Sequence, residues 1–134
     1  MTDDGITPIL LNQRIRNGVM WYLEAASSFE RQLQYQAAVP LVNVPNEMFN
    51  QWGDWIREDI PETYCEPVFS PDEQAAIWKY NAILDDVLDE VPETWPKLSE
   101  LIKTKHWEYL RAAAESTLEV FLRRGFFSQD VEQF

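Results

Sequence analysis

The sequence predicts an all-α protein, a single domain built as a bundle of four to five helices with a long N-terminal helix. Three observations carry this. Apolar residues recur at three- and four-residue steps through most of the chain, no stretch of consequence alternates with a period of two, and Pro or Gly punctuates the chain where one periodic segment gives way to the next. A length of 134 residues is near the commonest domain size, and 46% apolar with 13% aromatic residues is enough to form one core. Residues 1–134 therefore read as one acidic helical domain, with residues 126–134 as a C-terminal tail.

The first helix starts at Thr7-Pro8, a hydroxyl to cap free N–H groups followed by a proline whose missing N–H costs nothing there. Leu11, Ile15, Val19, Tyr22, Leu23, Ala26, Phe29, Leu33 and Ala37 then form one stripe. An unbroken helix over residues 8–38 would be about 46 Å long, so a bend is expected near Gly18 or at Ser27-Ser28. Arg14, Arg16, Glu24, Glu30 and Arg31 fall off the stripe and read as solvated.

Residues 39–45, with two prolines, read as a connector, and residues 46–58 as a short helix. Met48, Phe49, Trp52, Trp55 and Ile56 share an arc of about 120° on its wheel, which assigns both tryptophans to the core. Glu47, Asp54 and Glu58 gather on the other side. A proline-bounded loop over residues 60–69 leads to Ser70-Pro71-Asp72-Glu73, a capping box with proline at the first helical position. The helix it opens runs to about residue 91 on Ile77, Tyr80, Leu84, Val87, Leu88 and Val91, and Pro92 stops it.

Trp95-Pro96 opens another helical stretch, striped by Leu98, Leu101 and Ile102. Trp107, Leu110, Ala114, Leu118 and Phe121 form a stripe out of phase with it, so a break is expected at residues 103–105 with Thr104 capping the second piece. Glu108 with Arg111, Arg111 with Glu115 and Glu119 with Arg123 have helical pair spacing. Arg123-Arg124-Gly125 ends that helix, and the three phenylalanines beyond it can fold back on the bundle or dock elsewhere.

Charge is concentrated in one stretch. Residues 47–93 hold thirteen of the 23 carboxylates against only Arg57 and Lys79, so nearly all of the net charge of −12 lies there. Such a field repels nucleic acid and anionic membrane and attracts basic proteins, and nucleic-acid binding is disfavoured because phosphate neutralisation supplies most of its affinity. Lys97, Lys103, Lys105 and His106 are the one basic concentration. The opening Met1-Thr2-Asp3-Asp4 has neither the basic nor the apolar region of a signal peptide, and no apolar run is long enough to span a membrane. With the single Cys65, which has no internal disulfide partner, this points to a reducing cytoplasm.

Asp85-Asp86-Val87-Leu88-Asp89-Glu90 resembles the DDxxD pattern with which prenyl-diphosphate enzymes hold magnesium. Asp85 and Asp89 project side by side on a helix, and their hard oxygens suit Mg²⁺. The enclosure such an enzyme needs, with a second acidic cluster across a large cavity, is more than this length can build. A helical Mg-dependent enzyme using Asp85, Asp86 and Asp89 therefore stands as the alternative reading. No nucleophile, glycine-rich phosphate loop or cofactor motif accompanies the lone His106, and no cofactor is expected.

Trp78 lies about 100° from Ile77 on the wheel, outside the apolar arc and on the side of Asp85 and Asp89. A tryptophan flanked by acids is the composition of an interface anchor for a basic partner, although Trp78 can equally pack under the 60–69 loop. The leading expectation is a non-catalytic protein-interaction module that binds a basic protein through Trp78, Asp85, Asp86 and Asp89, supported by Glu47, Asp54 and Glu58. In size, charge and helicity it is similar to bacterial immunity and inhibitor proteins that neutralise a toxin or nuclease. A self-associating structural subunit, with the first helix pairing as a homodimer, is the third expectation.

Overall fold

The computed structural model describes residues 6–91 and 96–133. Its helices are α1 (Pro8–Ala26), α2 (Phe29–Ala38), α3 (Val44–Trp55), α4 (Pro71–Glu90), the single turn α5 (Leu98–Leu101) and α6 (Lys105–Leu122), with a 3₁₀ turn at Pro61–Thr63. Among the described residues there is no strand, and the all-α bundle expected from the periodicity is what forms. Pro92, Glu93 and Trp95, together with residues 1–4 and Phe134, lie outside the described residues.

Local chemistry sets most helix starts. Thr7, Ser28, Asn43, Ser70 and Thr104 each accept a backbone N–H three residues on, which satisfies a donor that the helix leaves free. At Ser70 the Glu73 carboxylate reciprocates, so the capping box is complete. Asn43 as cap brings Val44 and Pro45 inside α3, two residues earlier than the connector reading allows, because a proline in the first turn sacrifices no hydrogen bond. Gly125, at φ 77°, provides the left-handed turn after α6.

The expected long first helix is in fact two. The break falls at Ser27-Ser28 and not at Gly18. Gln32, buried in α2, closes it: its Nε2 donates to the carbonyls of Ala25 and Ala26 at 3.1 Å each, and its Oε1 accepts the indole N–H of Trp107 at 3.0 Å. The last carbonyls of α1 thus acquire a side-chain partner.

α6 packs along both α1 and α4, while α3 lies against α1, and α2 contacts α3 and α5. Tyr22, Trp52 and Tyr80 interlock at the centre, with ring centroids 4.7–6.0 Å apart and mostly edge-on. The two tyrosine hydroxyls share a buried hydrogen bond of 2.8 Å, and burial pushes the Tyr22 hydroxyl pKa upward. The stripes of α4 and α6 are the ones expected, with Ile77, Tyr80, Leu84 and Val87 of α4 and Trp107, Leu110, Ala114 and Phe121 of α6 buried.

The N-terminal half of α1 departs from expectation. Leu11 is half exposed, and so in α2 is Leu33, whereas Gln13, Arg16 and Asn17 are buried. Arg16, expected in solvent, has 0% exposure. Its guanidinium donates to Glu73 Oε1 at 2.6 Å and to the carbonyls of Val68, Phe121 and Gly125 at 3.0–3.1 Å. Phe121 and Phe127 cover it, with ring centroids 5.0 and 4.4 Å from the guanidinium carbon. Arg124 approaches the same Glu73 carboxylate from the other side and also donates to the carbonyls of Pro67 and Val68. Burial reverses the expectation for Arg16 because its donors all find acceptors contributed by segments distant in sequence.

The tail completes this arrangement by folding back on α1. Gln13 donates to the carbonyls of Ser128 and Val131 at 2.8 Å each, Arg14 to that of Gln129 at 2.8 Å, and Asn17 both donates to the Phe127 carbonyl and accepts its N–H. Among the described residues no buried side-chain nitrogen or oxygen lacks a hydrogen-bond partner.

Burial alone would raise the Glu73 pKa, but hydrogen bonds from Arg124, Arg16 and the Ser70 N–H outweigh it and hold the carboxyl below its ordinary value. A depressed carboxyl pKa stabilises the fold above the unfolded-state value, about 4.3 for Glu, and that stabilisation is lost as pH falls through the lower folded-state value. Glu73→Gln leaves two guanidinium groups without their anion, and the expected cost at pH 7 is about 3–5 kcal/mol in urea unfolding. Below pH of about 4 the variant is expected to lose less further stability than the native protein.

Candidate functional site

The C-terminal half of α4 carries the acidic cluster on its solvent side. Val87 points inward, while Asp85, Asp86, Asp89 and Glu90 are exposed, as a helix buried on one face dictates. α3 stops at Trp55, so Glu58 is not on that helix and the wheel that grouped it with Glu47 and Asp54 does not apply. The chain after α3 instead brings Glu58 to α4. Its Oε2 accepts the Asn81 amide at 2.7 Å, and Asn81 Oδ1 accepts the indole N–H of Trp52 at 2.9 Å. Glu58 is thereby tied to the buried aromatic centre.

Glu58, Asp59, Asn81 and Asp85 line one shallow cleft between this segment and α4. Desolvation raises the Asp85 pKa, and repulsion from Glu58, Asp89 and Asp86 raises it further. Arg57, in the same cleft, is engaged with Asp59 by two hydrogen bonds of 2.9 and 3.2 Å. The ion pairs among the described residues involve Glu24, Asp59, Asp72, Glu73, Glu108 and Glu115, and none reaches Glu58, Asp85, Asp86 or Asp89. Among the described residues, four carboxylates thus share one surface with no ion pair to any of them.

The other expected site residues lie elsewhere. Trp78 is two turns before Asp85 on the same side of α4, about 10 Å along the axis. It is half-buried and packs edge to face on Tyr64, with centroids 5.8 Å apart, so its indole supports the 60–69 loop. The Tyr64 hydroxyl in turn donates to the Trp55 carbonyl at 2.8 Å and accepts the Arg57 N–H at 2.7 Å, which fixes the chain entering the acidic cleft. Glu47 is half-buried in the first turn of α3. Asp54 is exposed and borders a second groove, between α1 and α3. Cys65 is an exposed free thiol, and His106 is half-buried in the first turn of α6.

The second groove involves residues that the apolar stripe does not reveal. Trp21 is 50% exposed one position off the buried Met20 and Tyr22, and Phe126 of the tail lies 6.1 Å from its ring. The half-buried Trp55 ring lies directly on Gly18 of α1: a Cβ at that position would sit 2.5 Å from two of the indole carbons. The rule that singles out Trp78, a tryptophan beside a core stripe, applies equally to Trp21.

Among the described residues no three His, Cys, Asp or Glu side chains are grouped so as to hold a metal ion, and Asp85 with Asp89 remains a pair. No helix among the described residues is long and apolar enough to cross a membrane. Compared with family models, curated proteins and solved structures, the chain matches none of them, and its own geometry carries the functional reading.

A carboxyl whose folded-state pKa is raised disfavours the fold once ionised, and that penalty is relieved as pH falls through its pKa. Asp85→Asn is therefore expected to raise Tm by about 1–2 °C at pH 7 in low salt. The gain should vanish at pH of about 3, where both states are protonated, and shrink in high salt. Gly18→Ala is expected to cost about 1–3 kcal/mol by forcing Trp55 off α1, a change that a shift in tryptophan emission together with denaturant unfolding would report.

Proposed function

We propose that this is a non-catalytic binding protein whose acidic face docks on a basic protein. The observation that supports the reading is the meeting of Glu58, Asp85, Asp86 and Asp89 at one exposed surface where, among the described residues, none of them is ion-paired and the nearby Arg57 is engaged by Asp59. Carboxylates so placed repel each other in the free protein, and a basic partner relieves that repulsion as it binds. Such a face also speeds the encounter and rejects acidic partners. Glu47 and Asp54 add to the long-range field, and Trp78 acts by supporting Tyr64, whose hydroxyl holds the Arg57 N–H beside Glu58.

Within this class, an immunity- or inhibitor-type protein that neutralises a basic toxin or nuclease in the cytoplasm accords best with the size and the charge of −12. A second reading, self-association, has support from a different place than the first helix, whose apolar face is covered by α3 and α6. Leu33, Leu41 and Val42 are exposed together around the α2–α3 connection, with Leu41 at 100%.

Affinity capture from lysate of the source organism, with the native protein beside an Asp85→Lys, Asp89→Lys variant, tests the primary reading. A basic protein is expected to be retained by the first and lost by the second, and its affinity to fall at least tenfold between about 50 and 200 mM salt. Equal retention by both, or salt-insensitive binding, would count against the acidic face. Light scattering that returns a dimer mass, abolished by Leu41→Glu, would favour self-association.

A further inference from the structure

Away from the acidic cleft, the groove between α1 and α3 has the chemistry of a cation receptor. The indoles of Trp21 and Trp55 line it together with Gly18, Tyr22, Gln51 and Asp54. None of these lining residues is basic. Each indole is held from behind. Trp55 rests on the α1 backbone where only glycine leaves room, with its own carbonyl bound by the Tyr64 hydroxyl. Trp21 is buttressed by Phe126, whose neighbour Phe127 is pinned to Asn17 by two hydrogen bonds.

Indole faces attract cations through their quadrupole, and guanidinium, being planar and weakly hydrated, leaves water for such a surface more readily than ammonium does. A carboxylate beside the rings adds charge complementarity, and fixed rings lower the ordering cost of binding. The chain treats its own arginines the same way, with Arg16 against Phe121 and Phe127, and Arg111 against Phe29.

We propose that this groove binds an arginine side chain of the basic partner, stacking its guanidinium on the Trp21 and Trp55 indoles beside Asp54. The inference rests on the reading that the partner is basic, and it assigns a second contact, separate from the face at Asp85 and Asp89. The acidic face supplies attraction at a distance, and the aromatic groove selects arginine at contact.

An acetylated and amidated tetra-arginine peptide, titrated at low salt and followed by the indole N–H and backbone amide NMR signals, tests it. The matching tetra-citrulline peptide is the uncharged control of the same shape. The expected result is saturable movement of the Trp21 and Trp55 indole signals, with affinity about fivefold weaker for the citrulline peptide and for Trp21→Ala. Asp54→Asn, at an exposed position, should weaken binding as well and keeps the test valid if Trp21→Ala unfolds. Movement confined to the amides of residues 85–89 would overturn the groove while leaving the acidic face standing. Equal binding of the citrulline peptide would overturn the cation assignment alone, and no saturable movement anywhere would overturn both.

Discussion

The buried cluster of Arg16, Glu73 and Arg124 is the constraint on which the rest of the molecule depends. Removing a guanidinium from water costs several kcal/mol unless its donors are all met, and for Arg16 the acceptors come from four places: the first turn of α4, the carbonyl at Val68, the C-terminal turn of α6 and Gly125. α1 can enter the core only where these converge. Apolar packing alone would tolerate sliding of one helix on another, whereas a charge with fixed acceptors does not. Once α1, α4 and α6 are registered in this way, the aromatic centre aligns, and through Trp52 and Asn81 so does Glu58. The position of the acidic cleft is thus a remote consequence of how one arginine is buried.

What could be read in the sequence follows from how far apart the causes lie. Helix caps at Thr7, Ser70 and Thr104 are legible because a cap is a contact over three residues. The core stripes of α4 and α6 are legible because burial there is apolar and periodic. The first half of α1 is not, because Gln13, Arg16 and Asn17 reach partners between 52 and 120 residues away, and no local pattern distinguishes them from solvated side chains. Glu73 was legible as a cap residue, yet its second role as anion to two arginines depends on α1 and α6 arriving together.

The site divides along the same line. Exposure of Asp85, Asp86 and Asp89 follows from helical spacing, since a helix that buries Leu84 and Val87 must turn those carboxylates outward. The approach of Glu58 was hidden because α3 ends three residues before it, where a helical wheel loses meaning. Charge is also distributed unevenly between roles. Where Arg57, Arg111 and Arg123 sit beside acids, surface pairs form, and among the described residues none forms at Asp85, Asp86 or Asp89 in the last turns of α4. Pairing those carboxylates would be an easy route to added stability, so a surface that forgoes it has the character of one shaped by something other than folding.

The return of residues 126–133 onto α1 has a consequence for the order in which the molecule can be made. Synthesis runs from the N-terminus, so Gln13 and Arg16 emerge from the ribosome more than a hundred residues before Phe121, Gly125 and the Ser128 and Val131 carbonyls exist. Until then Arg16 can meet only Glu73 and Val68, and burying it would leave the donors that Phe121 and Gly125 satisfy without acceptors. The nascent chain is thereby kept from sealing its core early, and the final structure closes in one late, cooperative step that joins its first described helix to its last described segment.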